Sequence, residues 1–189
     1  MDALAGLRQW AYETTFPDVV DDGGRLVVFR IPPLPASEWI IATLQVGHLA
    51  YLPGLLPEDE RITLMDALDD GTLTMDELIQ ANQDALEEIS GWKWWSASKL
   101  VGALAHQFET LGGLLILAGI DMATAPLGAV LAALYARVWE ESSKEDRAKW
   151  AQEVAMPPQS MLDHENWDED AATAAVMAFM QSGGTGMPD

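Results

Sequence analysis

The stretch from Gly91 to Val101 constrains the fold more than any other, because three tryptophans within four residues open a long apolar segment. From there on, apolar residues recur at steps of three and four, as they do on one face of a helix. This stripe comprises Trp94, Ala97, Val101, Leu104, Phe108, Leu111 and Leu115, and it is widened by Trp95 and Leu100. We therefore predict one long helix, from about Trp92 to Ala118, whose apolar face needs a partner surface.

The other side of this predicted helix is more polar, and it carries Lys93, Lys99, Gln107 and Glu109. The pair Gly112-Gly113 lies inside the helix and indicates either a kink or a close contact with a neighbouring helix. The pattern leaves open whether the partner of the apolar face is the rest of this chain or another protein.

Composition limits the kinds of partner. With 189 residues, 49% of them hydrophobic, the chain is long enough to bury a proper core as one domain, or as one domain with a tail. Its net charge of -20 argues against binding to nucleic acids and to anionic membranes, since both require clustered Lys and Arg. The most apolar run, Leu111 to Ile120, is only about half the ~20 residues of a membrane span, so we expect a core helix there. The N-terminus lacks the pattern of a signal peptide.

We predict a mostly α fold of about five to six helices, with a small N-terminal β element and an acidic C-terminal tail. Residues 1–36 would hold a helix over 3–14 and a strand over 25–31, with 17–20 as its hairpin partner. Residues 37–156 would form the helical domain. Residues 157–189 would form a flexible tail, with one amphipathic segment over 167–182.

Local signals mark the ends of several helices in the helical domain. Ser37 is a candidate N-cap, and Pro53-Gly54 is expected to break the chain before a helix over 58–68. A capping box of Thr74 with Glu77 predicts a helix over 74–90 that Gly91 ends. Two further helices are expected, over 126–139 with Pro126 in the first turn, and from a capping box at 142–145 to about residue 154.

Catalytic and metal-binding signals are weak. Residues 66–77 approach the calcium-loop pattern, but Leu68 stands where a ligand is needed, and the capping box already explains Glu77. The three histidines lack metal-ligand spacing, and His106 is expected to pack among apolar residues. Neither a phosphate-binding glycine loop nor a nucleophile elbow occurs, and there is no cysteine. We expect neither an enzyme nor a metal or other cofactor; a small calcium-binding regulator remains as an alternative hypothesis.

Several short motifs follow one another in a fixed order. They are the strand and Ile-Pro-Pro turn of 25–36, the Gly-x-x-Trp-Trp of 91–95, the Gly-Ile-Asp turn of 119–121, the Leu-x-x-x-Tyr of 131–135, and a charged segment ending at Pro157-Pro158. Their order resembles that of tail assembly chaperones of siphophages that infect actinobacteria. The resemblance covers roughly residues 23–158, while the segment from Leu55 to Asp76 has no counterpart in it.

This resemblance implies a non-enzymatic protein of the host cytoplasm, absent from the mature virion, which keeps the tape measure protein soluble while the tail tube assembles. The tail tube protein and a second copy of the chain are further partners to consider. The alternative is a structural tail or head accessory protein of the virion. We predict that the partner-binding residues lie at the head of the apolar stripe: Trp92, Trp94, Trp95, Leu100, Leu104 and Phe108. Tryptophan is enriched at binding anchors, but for each of these tryptophans a place in a tryptophan-rich core is the alternative.

Overall fold

A computed structural model describes residues 11–21, 23–46 and 51–158. Two strands and eight α-helices follow one another in these residues, with one π-helical turn, so the predicted fold class is confirmed. Residues 3–10 of the predicted N-terminal helix, His48, and residues 159–189 of the predicted tail lie outside the described residues. The elements in chain order are β1 (Tyr12–Val20), β2 (Leu26–Ile31), α1 (Ala36–Val46), α2 (Leu52–Leu55), α3 (Glu58–Asp69), α4 (Met75–Ser90), α5 (Trp94–His106), the π-turn (Phe108–Gly112), α6 (Gly113–Leu117), α7 (Leu127–Glu141) and α8 (Lys144–Ala155).

The N-terminal hairpin is longer than predicted. Tyr12 pairs with Ile31 in an antiparallel register, so the prediction of a helix over 3–14 is wrong for residues 12–14. Cross-strand pairing overrides the local helical pattern there. Pro17 lies within β1, where the register shifts between Thr15 and Val20, because a residue without an amide hydrogen is tolerated at such an irregularity.

The hairpin is fixed on the helical layer through its inner face. Phe16 and Phe29 are buried edge to face, with ring centroids 5.6 Å apart. The main-chain amide of Arg30 donates a hydrogen bond of 2.5 Å to the carboxylate of Glu60 on α3. The small sheet therefore packs as part of the core, as a two-stranded element must in order to be stable.

Helix α4 begins and ends as its sequence predicts. Thr74 is the N-cap in a complete capping box with Glu77, and Gly91 ends the helix with a left-handed φ of 72°. The buried Asn82 holds α2 on α4: its side-chain oxygen accepts from the amide of Leu52 at 2.8 Å, and its side-chain nitrogen donates to the carbonyl of Leu78 at 2.7 Å. The predicted breaker Pro53-Gly54 lies inside the single turn of α2.

Helix α5 ends at His106, so the prediction of one helix from Trp92 to Ala118 is wrong. Gln107 leaves the helical conformation at φ -123° and ψ 34°, five residues before Gly112. The two halves meet at 97°. The bend lets residues of both halves bury their side chains, as Leu104, Leu111 and Leu115 all do. Together with the short α2, this split accounts for eight helices where about five to six were predicted.

Three other helix starts differ from their predicted signals. Helix α1 begins at Ala36, whose amide donates to the carbonyl of Ala125 at 2.8 Å, so the Ser37 side chain is not its cap. Pro126 is the N-cap residue of α7 rather than its first helical residue. The cap of α8 is Ser143, which accepts from the amide of Asp146 at 3.2 Å, one residue later than predicted.

Within the described residues, no single helix has both the length and the hydropathy of a membrane span. α5 and residues 108–117 meet these criteria only when they are combined across their 97° bend.

Candidate interaction surface

Trp92 belongs to an aromatic cluster that joins the α4–α5 junction to the two C-terminal helices. Its ring centroid lies 5.4 Å from that of Tyr135 on α7. Tyr135 also stacks on Trp139 and on Trp150 of α8, at 6.1 and 6.4 Å. Burial raises the pKa of Tyr135 to about 12. Arg147 lies over the ring of Trp139 at 5.9 Å and covers the outer side of the cluster. This cluster stabilises the packing of helices within the chain.

Trp94 and Trp95 form an edge-to-face pair, with ring centroids 5.8 Å apart. The amide of Trp94 donates to the Glu87 carboxylate at 3.2 Å, which ties the first turn of α5 to the last turn of α4. The indole nitrogen of Trp95 donates to the carbonyl of Ala155 at 3.0 Å. Both side chains are half-buried, so each has contacts within the chain and some exposed area.

Trp95 is one of three side chains of α5 that satisfy carbonyls at the end of α8. The Ser96 hydroxyl donates to the carbonyl of Val154 at 2.9 Å. The Lys99 ammonium donates to the carbonyl of Glu153 at 2.6 Å and also to that of Met156. The last carbonyls of a helix have no hydrogen-bond donor within that helix, so side chains of α5 donate to the last carbonyls of α8. Lys99 was predicted on the wetter side of its helix; in the structure it is half-buried against α8, and burial lowers its pKa although nearby Glu153 opposes this shift.

Leu100 and Leu104 are fully buried in the core, so neither side chain is part of the surface that this structure presents. Phe108 is the predicted partner-binding residue with the greatest access to solvent, since 54% of it is exposed. The six predicted residues therefore do not form one exposed patch. Three are half-buried tryptophans with contacts inside the chain, two are core leucines, and one is at the surface.

The most exposed apolar side chains follow the bend. Ile116 is 67% exposed and Leu117 is 84% exposed, and both lie in the same ten-residue segment as Phe108. We call Phe108, Ile116 and Leu117, with the half-buried Leu114, the distal apolar surface. Phe108 lies against the backbone of Gly112, where an added β-carbon would meet the ring at 3.4 Å. Large apolar side chains left exposed within one short segment make it a candidate interaction site.

Reasoning from the sequence missed Ile116 and Leu117 because they lie off the predicted stripe. Their signal was available in part: two large apolar residues directly follow Leu115, so they cannot share its buried face. The bend itself has no local signal, because residues 103–111 contain neither proline nor glycine.

The calcium-loop pattern is not assembled as an ion site. Asp70 accepts from the amide of Thr72 at 2.8 Å, and Glu77 accepts from the amide of Thr74 at 2.9 Å. Hydrogen bonds from the Thr72 side chain and amide lower the pKa of Asp70, and those from the Thr74 amide and side chain lower the pKa of Glu77. In the described part of the chain, no group of three or more His, Cys, Asp or Glu residues is placed to hold a metal ion. His106, predicted to pack among apolar residues, is instead exposed at the end of α5.

No protein-family model, curated protein or solved structure matches this chain. The motifs quoted above from the sequence nevertheless have a defined place in the fold, because several contact one another. Trp92 of the Gly-x-x-Trp-Trp motif meets Tyr135 of the Leu-x-x-x-Tyr motif. The amide of Ser37, after the Ile-Pro-Pro turn, donates to the carbonyl of Met122 at 3.0 Å, just after the Gly-Ile-Asp turn. These motifs form junctions of the scaffold and leave the distal apolar surface outside them.

Proposed function

We propose that this protein is a phage tail assembly chaperone that holds the tape measure protein soluble in the host cytoplasm while the tail tube assembles. The observation that carries the proposal is the distal apolar surface, exposed on a chain of net charge -20. The resemblance of the ordered motifs supplies the identity of the client. The contacts between those motifs support the resemblance, because residues that pack against one another in the fold account for why the motifs occur together.

Holding requires no chemistry, so in this proposal the protein is not an enzyme and needs no cofactor. An apolar stripe on a long helical client would lie on Phe108, Ile116 and Leu117, as an amphipathic helix lies on an apolar surface. Full burial of one such side chain contributes about 1.5–3 kcal/mol, which suits a contact that must later be released. The surplus carboxylates would keep the complex dispersed by mutual repulsion.

The scaffold and the client contact are separate in this proposal. Trp92, Trp94 and Trp95 set the packing of α5 on α7 and α8, and of the predicted set Phe108 alone contributes a largely exposed side chain to the client. The tail tube protein is a second partner to test.

Co-expression with the tape measure protein of the same phage tests the proposal. We expect the soluble fraction of that protein to rise several-fold over expression alone, and to co-purify with the chaperone. An unchanged soluble fraction would contradict the proposal. Mass spectrometry of purified virions separates it from a structural virion protein: we expect this chain to be absent, and stoichiometric amounts in the particle would favour the structural role.

A further inference from the structure

We infer that the distal apolar surface binds an apolar helix whose ends carry lysine or arginine. This inference rests on the proposed function and specifies the chemistry of the client segment. Its basis is the distribution of charge around the apolar side chains, together with the charges of the other molecules that could cover them.

The charged residues closest in sequence to this surface are negative. Between Leu100 and Ala136 the chain has no lysine or arginine, and Glu109 and Asp121 are its carboxylates there. Both carboxylates are exposed, and they flank the segment that carries Ile116 and Leu117. A partner that lies along this segment therefore meets a carboxylate near each end.

The nearest cations in sequence are already engaged. Lys99 donates to two main-chain oxygens at the end of α8. Arg137 pairs with Glu140 at 3.2 Å. Neither cation neutralises Glu109 or Asp121 in an ion pair within 4 Å among the described residues.

Other occupants lack the cations that these acidic flanks favour. In residues 159–189 of this chain there is no lysine or arginine; five of the six carboxylates lie in 163–170, and residues 171–188 have no charged side chain. A second copy of the chain brings a net charge of -20, and an anionic membrane is repelled in the same way. A basic-ended apolar helix is the occupant that matches both the apolar side chains and their acidic flanks, and such complementarity determines partner choice more than raw affinity.

The test uses three labelled helical peptides that share one leucine face and differ only at their ends, which carry lysine, glutamine or glutamate. Fluorescence anisotropy with the full chain should rank affinity in the order lysine, glutamine, glutamate. We expect about a tenfold difference between the first and the last, decreasing at high salt. Equal affinities, or tighter binding of the glutamate peptide, would overturn the inference.

Two variants locate the effect. The double substitution Glu109→Gln and Asp121→Asn removes both negative charges. It keeps the hydrogen bond that the side chain at position 121 accepts from the amide of Ala123. We expect this pair to abolish the discrimination between peptides. The matched control, Asp59→Asn with Asp66→Asn on exposed positions of α3, should preserve it. Discrimination that persists undiminished in the first pair would place the charge recognition elsewhere and refute the inference.

The two proposals can fail separately. If no peptide binds while co-expression still raises the solubility of the tape measure protein, the inference about the client segment is wrong and the proposed function stands. If the lysine peptide binds as expected while co-expression has no effect, the surface chemistry stands and the proposed function is wrong.

Discussion

The Lys99 ammonium on α5 lies 2.6 Å from the carbonyl oxygen of Glu153 in the last turn of α8. The helical pattern places Lys99 on the more polar side of its helix, yet its side chain caps the C-terminal end of α8, 54 residues away in sequence. The contact explains how α8 stays docked on α5 although its sequence is only weakly apolar: with Trp95 and Ser96, Lys99 satisfies carbonyls that would otherwise require water.

Lys99→Met should therefore destabilise the protein. Hydrogen bonds from a charged donor contribute about 1.5–3 kcal/mol, and methionine retains much of the apolar stem. We expect a decrease of that order in the free energy of unfolding, measured by urea denaturation at pH 7. Lys149→Met, at an exposed position of α8, is the matched control and should change it by less than about 0.5 kcal/mol. Equal effects of the two substitutions would show that the α8 contacts of Lys99 contribute little.

The capping box of α4 should depend on pH. Replacing an N-cap threonine by alanine costs about 1 kcal/mol, whereas serine preserves the cap, so Thr74→Ser serves as the control for Thr74→Ala. Hydrogen bonds from Thr74 hold the pKa of Glu77 below its ordinary value of 4.5. Because the folded-state pKa is depressed, the stabilisation is present above the ordinary pKa and is lost as pH falls through the folded-state pKa.

We therefore expect the difference in unfolding free energy between wild type and Thr74→Ala to be constant near neutrality and to narrow below about pH 4.5. Urea denaturation from pH 7 to pH 3 measures it. Thr74→Ala keeps the main-chain amide that donates to Glu77, so a difference that stays constant over this range would mean that the hydrogen bond from the Thr74 hydroxyl to the Glu77 carboxylate adds no stability.

Two glycines, the first residue of α6 and one that follows the helix, should respond to alanine with opposite signs. Gly113 has a helical φ of -60° and open space around the position of a β-carbon, so Gly113→Ala should stabilise the fold by about 0.5–1 kcal/mol. Gly119 has a φ of 76°, so Gly119→Ala should destabilise it by about 1–2 kcal/mol despite equally open space. Thermal unfolding compares the two; destabilisation by Gly113→Ala would show that the helical geometry of α6 is wrong.

Features set by neighbouring residues were predictable from the sequence. The cap at Thr74 and the end at Gly91 are examples, because the atoms that satisfy them lie within a few residues. Features set by distant partners were not. Helix α1 begins at Ala36 because a carbonyl at Ala125 accepts its amide, and residues 12–14 form a strand because residues 29–31 pair with them.

The candidate interaction surface was predictable only in part, for the same reason. Helical spacing singled out Phe108, which is exposed, but it also selected Leu100 and Leu104, which the core buries. An apolar stripe predicts what is buried more directly than what is left outside. Ile116 and Leu117 directly follow the buried Leu115 and therefore lie off its face. The bend at Gln107 accompanies the burial of Leu111 and Leu115 and is not marked by any local residue.

The most direct test of the account is the soluble yield of the tape measure protein co-expressed with Ile116→Ser and Leu117→Ser together. The matched control is Ile41→Ser with Leu44→Ser, which removes two apolar side chains of about half exposure from α1. If the distal apolar surface holds the client, the first pair should lose the gain in soluble yield while keeping the free energy of unfolding of the wild type, and the control should retain the gain. Full retention of the gain by the first pair, or its equal loss in both, would contradict the account.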